Sequence, residues 1–382
     1  MLLRQANIEF SQISEIFFSS RRNLLFLILI FIWNSALFGQ DSTSVYRWTP
    51  TNKGQNNEPF LLIGGDETNM YAAFKERKRE VSIRSYNYES LEEELLYTFE
   101  FDAEFSRDES FIEAFYLNRK IYLFVEEFSF KEKSQKLYTH VFDIDQKKFV
   151  DKQEVDHLEK GRNNRRGDFL IALNSDSSSF VILAVDPWHK KEQKTFSARL
   201  FSIENGLVWE NKFNLPYGSG YTEIKQIKAD QNGNLHLGIE VSPERGASLE
   251  SLQKDQSQHK FILLSYFHAE KRIKETDLNL GEKWIADMAF DLSDKGEIVV
   301  SGFYSNDRFN SIGGSFYLRL NSTDLSVQAS ALNPLSEKAV IDLIGEKKSN
   351  KGKEVPRVEL RHIVVNPNGS CSLIGEQFWM RE

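Results

Sequence analysis

Three segments in the second half of this chain repeat one pattern: Ala229 to Gly238 (ADQNGNLHLG), Leu292 to Gly302 (LSDKGEIVVSG) and Asn366 to Gly375 (NPNGSCSLIG). Each carries a glycine where the chain must reverse with positive φ, a short apolar strand, and a second glycine suited to close backbone approach. A hairpin of this kind cannot bury both of its faces alone. The chain must therefore stack copies of it, and a repeat architecture is the consequence.

The first half contains looser versions. Ile63 to Phe74, Phe115 to Val125 and Ile171 to Ala184 each read as strand, polar turn, strand. With turns placed at Thr68, Arg119, Ser178, Gly233, Gly296 and Gly369, the steps are 51, 59, 55, 63 and 73 residues, a period typical of propeller blades or solenoid coils. Between these inner hairpins lie outer ones with polar turns and aromatic or branched flanks: Ser82 to Leu91, Tyr138 to Val150, Ala198 to Trp209, Ile262 to Ile273 and Phe316 to Val327. An inner hairpin followed by an outer one makes a four-stranded antiparallel blade, and blades set radially bury their apolar faces against each other.

These segments resemble the bacterial β-propeller repeats of the SBBP and NHL-like type, whose blades carry an Asp-x-x-Gly turn, an apolar strand and a glycine. The match is best over Phe290 to Val327 and Lys225 to Phe267, fair near Cys371 and poor before Ile171. There is no Trp-Asp dipeptide ending a blade and no sialidase-type Ser-x-Asp-x-Gly-x-x-Trp box. The resemblance implies an all-β propeller of six blades with the sixth incomplete. Its families span scaffolds, binders and some enzymes, so it implies little about activity.

Aromatic residues make up 13% of the chain and hydrophobic residues 40%, enough for a large core of pleated, half-buried strands. The repeat runs from near Phe60 to the last residue without a linker, which predicts one propeller domain over 41–382. Ahead of it, Arg21 and Arg22 precede the apolar run Leu24 to Trp33 and the small and polar residues Asn34 to Gln40. That is the pattern of a signal peptide over 1–40, and it predicts a periplasmic or secreted protein. An uncleaved anchor is the alternative, and Ser20 to Leu25 also resembles a twin-arginine signal. Cys371 is the only cysteine, so neither an internal disulfide nor a multi-cysteine metal site can form.

The net charge of −8 argues against a general nucleic-acid binder. The basic residues are unevenly placed. Lys75, Arg77, Lys78 and Arg79, then Lys131, Lys133 and Lys136, then Lys190, Lys191 and Lys194 fall in successive B–C loops, and Arg165 and Arg166 in a D–A loop of the same face. Such a rim would attract an anionic glycan or an acidic protein; solvated loop charge is the alternative. Arg166-Gly167-Asp168 spells an integrin-type tripeptide but runs straight into a strand. His140, His236 and His268 read as structural histidines, and no spacing suggests zinc. Glu126 and Glu127 read as solvated charges on opposite faces of a strand. No cofactor is implied.

Two insertions interrupt the repeat on the basic face. Ser242 to His259 reads as a long polar loop with a helical turn over 247–254, and Pro334 to Ile344 reads as a short helix capped by Ser336, followed by a lysine-rich mobile tail to Pro356. The sixth unit has two strands before the sequence ends, and Ser44 to Thr49 is expected to return as its third. The reading is an exported, monomeric, non-catalytic binding or scaffold module of the cell envelope, with no membrane contact beyond the N-terminal segment. The alternative is a glycan hydrolase or lyase with its site at the central channel, for which converging acids, His or Tyr at the channel mouth would speak.

Overall fold

The six repeated turns do reverse the chain where the glycines and polar residues predict. In the computed structural model, which describes residues 59–377 apart from 78, 102, 105–106, 160, 162–164, 175, 190–191, 243–258, 308–310 and 357, every sheet is an antiparallel meander. The first is β1 (Pro59–Gly65), β2 (Asn69–Arg77), β3 (Glu80–Asn87) and β4 (Glu93–Glu100). The second is β5 (Ala103–Glu104), β6 (Arg107–Leu117), β7 (Lys120–Ser129), β8 (Ser134–Asp143) and β9 (Lys148–Glu159). The third comprises β10 (Asp168–Leu173), β11 (Ser179–Val185), β12 (Gln193–Ser202) and β13 (Gly206–Gly218). The fourth comprises β14 (Thr222–Ala229), β15 (Leu235–Val241), β16 (Lys260–Phe267) and β17 (Arg272–Leu278). The fifth pairs β18 (Trp284–Leu292), β19 (Ile298–Ser305), β21 (Gly314–Leu320) and β22 (Val327–Pro334), and a two-stranded ladder of β24 (Val358–Val365) and β25 (Cys371–Gln377) follows it.

The first strands touch in succession: β1 meets β6, β6 meets β10, β10 meets β14, β14 meets β18 and β18 meets β24. Sheets packed face to face with their first strands innermost are the arrangement of a β-propeller. Four apolar clusters accordingly each join two consecutive sheets. Val181, Leu183 and Phe196 of the third pack with Leu235, Leu237 and Ile262 of the fourth, and Phe261 and Leu263 of the fourth pack with Phe290, Val300 and Phe316 of the fifth. Polar side chains also tie neighbouring sheets. Trp209 Nε1–H donates to the Gly233 carbonyl at 3.0 Å, the Tyr317 hydroxyl donates to the Gly369 carbonyl at 2.7 Å, and the Gln135 amide exchanges two 3.0 Å bonds with the Gly167 backbone. These strands belong to one compact unit, Asn56–Glu89 with Glu93–Glu382.

The second insertion departs from expectation. Ser336 does cap α1 (Glu337–Ile344), accepting from Ala339 N–H at 3.2 Å, and Ile344 is buried. The lysine-rich stretch after it is ordered, as α2 (Glu346–Ser349) and β23 (Val355–Pro356), which pairs with β20 (Ser311–Ile312). The reason is a small core of Ile312, Ile344 and Val355 together with a clasp on Glu354, whose carboxylate accepts from Ser305 Oγ at 2.5 Å, Ser311 Oγ at 2.6 Å and Asn306 N–H at 2.8 Å. The apolar run at 24–33, the strand-like 44–49 and the expected helical turn at 247–254 lie outside the described residues. No helix among the described residues is long and apolar enough to cross a membrane.

Candidate functional site

Of the six inner strands only β10 keeps unbroken register: β1 slips between Pro59 and Leu61 and between Leu62 and Gly64, β6 slips between Phe111 and Glu113, and three more strands slip where a repeated glycine faces them. β14 slips between Ile224 and Gln226, β18 between Ile285 and Asp287, and β24 between Leu360 and His362. An extra residue in one strand breaks the alternation of sides and re-aims the side chains beside it. The repeated second glycines stand opposite these shifts: Gly238 pairs with Gln226, Gly302 with Met288 and Gly375 with Leu360. A Cβ at Gly302 would lie 2.1 Å from the Asp287 carbonyl oxygen and 2.8 Å from Met288 Cα, so the bulge that places Asp287 requires glycine there.

The bulged strands wall a cavity of about 790 Å³, closed on one side by Ile312 and Pro356 of the insertion ribbon. Its polar lining includes Lys225, Glu240, Asp287, Arg361 and His362. Asp287 is fixed by two backbone donors: Met288 N–H reaches Oδ1 and Leu360 N–H, from the next sheet, reaches Oδ2, both at 2.9 Å. Gln226 clasps the next inner strand in the same way, donating to the Phe290 carbonyl at 2.8 Å and accepting from Phe290 N–H at 2.9 Å. Glu240 meets His259 Nε2 at 2.9 Å and Lys225 Nζ at 3.3 Å, and Lys225 Nζ also lies 3.4 Å from Glu223.

The two carboxyls are pushed in opposite directions. Burial raises Asp287 above its ordinary value, with the charge of Glu240 adding to the rise, against the backbone donors and Lys225. The His259 hydrogen bond holds Glu240 below its ordinary value, helped against burial by Lys225. Two carboxyls pushed apart, one up and one down, within each other's field are the electrostatic pattern of an acid and base pair. No group of three or more His, Cys, Asp or Glu among the described residues could hold a metal ion.

The basic residues divide into two sets. Lys75 and Arg77 at the end of β2, Arg79 in the turn after it, and Lys131 and Lys133 in the β7–β8 turn are exposed at the same end of their sheets, with Arg77 3.4 Å from Glu80. Lys136 is 3.5 Å from Glu132. Arg165 is half-buried and Arg166 exposed, and both are engaged by neighbouring side chains. Arg165 stacks 3.6 Å over Trp188 and donates to its carbonyl at 3.1 Å; Arg166 lies 4.0 Å over Phe128 and 2.9 Å from Asp108. In the Arg-Gly-Asp tripeptide Arg166 is held by Asp108, Gly167 is buried and Asp168 already begins β10. Lys194 is also buried, and Lys78, Lys190 and Lys191 lie outside the described residues.

Glu126 and Glu127, read from the sequence as solvated, are both buried, because β7 lies between β6 and β8 within the second sheet. His236 is fully buried with its Nδ1 2.7 Å from Ser265 Oγ and its Nε2 3.6 Å from Asp230. These are the residue types of a nucleophilic triad, yet Ser265 is 0% exposed and no substrate carbonyl could reach it. Asp230 has a different task, accepting from Asn232 N–H at 2.9 Å and Asn234 N–H at 2.8 Å to close the β14–β15 turn. The trio is structural.

No protein-family model matches the chain, and no curated protein matches it. Among solved structures it is similar to a prolyl endopeptidase (12% identity, TM-score 0.42, 84% of this chain covered), of whose length it spans 39%. It is also similar to a putative 6-phosphogluconolactonase from Bacteroides uniformis (12% identity, TM-score 0.42, 81% of this chain and 75% of that one). A third likeness is to the α-L-arabinanase of Penicillium chrysogenum (9% identity, TM-score 0.41, 74% of this chain and 87% of that one). Values this low carry no chemistry from one chain to another.

Proposed function

We propose that the cavity walled by β14, β18 and β24 is an active site for glycoside hydrolysis, in a protein exported to the cell envelope. The observation that carries this reading is the oppositely shifted pair Asp287 and Glu240 lining one polar cavity at the inner strands. Asp287, whose pKa burial raises above its ordinary value, delivers a proton to the glycosidic oxygen as that bond breaks. Glu240 remains a carboxylate and serves the anomeric carbon, and Lys225 keeps that charge in place. Arg361 and His362, beside the bulge of β24, supply hydrogen-bond donors for sugar hydroxyls.

Release of reducing ends from a panel of neutral and acidic polysaccharides tests the reading. Asp287→Asn and Glu240→Gln are each expected to lower the rate by about 10²-fold or more. Rates equal to wild type in both variants would overturn the assignment, as would no release from any polysaccharide. The second reading, a non-catalytic binder of an anionic glycan or acidic protein, is favoured by the exposed Lys75, Arg77, Lys131 and Lys133 at the same end of their sheets. Binding that survives in Asp287→Asn without turnover by the wild type would support it.

A further inference from the structure

A second cavity, of about 750 Å³, opens where β10 and β14 begin, and Lys194, Glu126, Asp168, Glu223 and Tyr221 line it. It adjoins the first. Glu223 belongs to its wall, Glu240 to the wall of the other, and the Lys225 ammonium stands between them at 3.4 and 3.3 Å.

Lys194 is the unusual member. It sits near the start of β12 in phase with the buried Phe196, Ala198 and Leu200, so the regular alternation of the strand turns its side chain inward. The residue is 8% exposed, and among the described residues no hydrogen-bond or ion-pair partner stands within 4.0 Å of its ammonium. A cation on a buried stem with no direct partner, facing a cavity, is stabilised when a counter-ion arrives there. Burial accordingly lowers its pKa, against the more distant Asp168, Glu223 and Asp186.

We infer that this second cavity is a subsite for a uronic acid unit of the substrate, whose carboxylate pairs with Lys194 while its hydroxyls donate to Asp168 and Glu223. The inference rests on the glycan reading of the first cavity. A singly charged carboxylate flanked by hydroxyl donors fits this lining, because each acceptor on the wall then receives a donor and the one unpaired cation receives an anion. A phosphate, doubly charged and without donors, would meet repulsion from the three carboxyl side chains. The closeness of the two cavities makes the substrate a chain: one unit at the Lys194 subsite, the bond to be cut beside Asp287.

The test measures binding, so it does not depend on turnover. Trigalacturonate and its neutral methyl ester are titrated into the Asp287→Asn protein by calorimetry. The acid form is expected to bind about tenfold tighter than the ester. Adding Lys194→Met should bring the two within about twofold, while Lys194→Arg keeps most of the preference. In case the Met variant does not fold, the 13Cε signal of Lys194 is followed in the Asp287→Asn chain. Trigalacturonate should move its titration to higher pH and the ester should not. Equal affinity for both forms, no binding of either, a preference that survives Lys194→Met, or an unmoved titration would each overturn the inference. Hydrolysis without uronate preference would defeat this inference alone; uronate binding with no hydrolysis by the wild type would defeat only the assignment of Asp287 and Glu240.

Discussion

β10 and β18 hold the same place in their sheets, and they differ in one respect that decides what each can do. β10 pairs with β11 in unbroken register, Leu170 opposite Leu183 and Ile171 opposite Ile182, and nothing opposite it must be glycine. β18 slips by one residue, which sets Gly302 opposite Met288 and leaves Asp287 lining the cavity. A regular strand alternates and gives its inner positions to packing. A bulged strand gives up one ladder position and gains a polar side chain that the alternation would have sent elsewhere. The propeller supplies six turns, and the proposed chemistry lies at β14, β18 and β24, whose shifts, unlike those of β1 and β6, stand opposite a glycine.

Forcing the bulge is the strongest way to break that contrast. Gly302→Val places a side chain within 2.1 Å of the Asp287 carbonyl oxygen, where backbone must move. We expect a loss of about 3 kcal/mol in urea unfolding and loss of any Asp287-dependent rate. A Leu183→Val exchange in β11 makes a smaller side chain where a large one is tolerated and should cost about 1 kcal/mol. If the two variants unfold at the same urea concentration, the bulge does not demand glycine.

Much of this was legible in the sequence, and the reasons are local. Turn glycines 233, 296 and 369 have φ of 73°, 74° and 83°, a region that side chains disfavour, so the hairpins announce themselves. Ser336 and the apolar positions after it located α1 for the same kind of reason. Of the second glycines, Gly302 meets partner-strand backbone as expected, whereas Gly238 faces the side chains of Met288 and Phe290 and Gly375 those of Phe303 and Val358. What was missed is that the approaching backbone is a bulge on the partner strand, and so the glycine at 302 points to the acid at 287. That pairing depends on register across a hairpin, which residue spacing does not specify. The burial of Glu126, Glu127 and Lys194 was invisible because it depends on which sheets flank the strand end. Charge in a predicted loop resembles solvated charge until the neighbouring sheet is known.

The two ends of the core also respond to acid with opposite sign. Burial beside Phe99 and Phe149 pushes His140 down to about 4 from 6.5, with Lys152 adding to the shift. Below pH 6.5 the unfolded chain binds a proton that the folded chain refuses, so this contribution is whole above that pH and falls as the pH drops toward 4, by about 3 kcal/mol in all. Asp287 works the other way. Its folded pKa is raised, so its contribution is present below the ordinary value of 3.8 and lost as pH rises through the folded one. His140→Phe should flatten the stability profile between pH 6.5 and 4. Asp287→Asn should leave that slope in place and remove the opposing term. A profile unchanged by His140→Phe would mean that the ring is protonated in the folded state.

The smallest effect separates the two sets of basic residues. Lys75, Arg77, Lys131 and Lys133 are exposed, so replacing all four with Ser should change stability by no more than about 0.5 kcal/mol. The same variant should bind polygalacturonate with a shallower dependence on salt, because exposed charges act over a screening length of about 8 Å at physiological ionic strength. Arg166 offers the contrast. It covers the Phe128 ring and lies 3.9 Å from Glu126, whose carboxyl is buried, so Arg166→Ser removes both packing and a counter-charge and should cost about 1 kcal/mol or more. A rim that steers an anionic chain must keep its cations in water until the ligand arrives, and only the first set does so. If the fourfold variant kept the wild-type salt dependence, the anion would be held within the cavities alone, with Lys194 as its anchor and the rim as solvated surface.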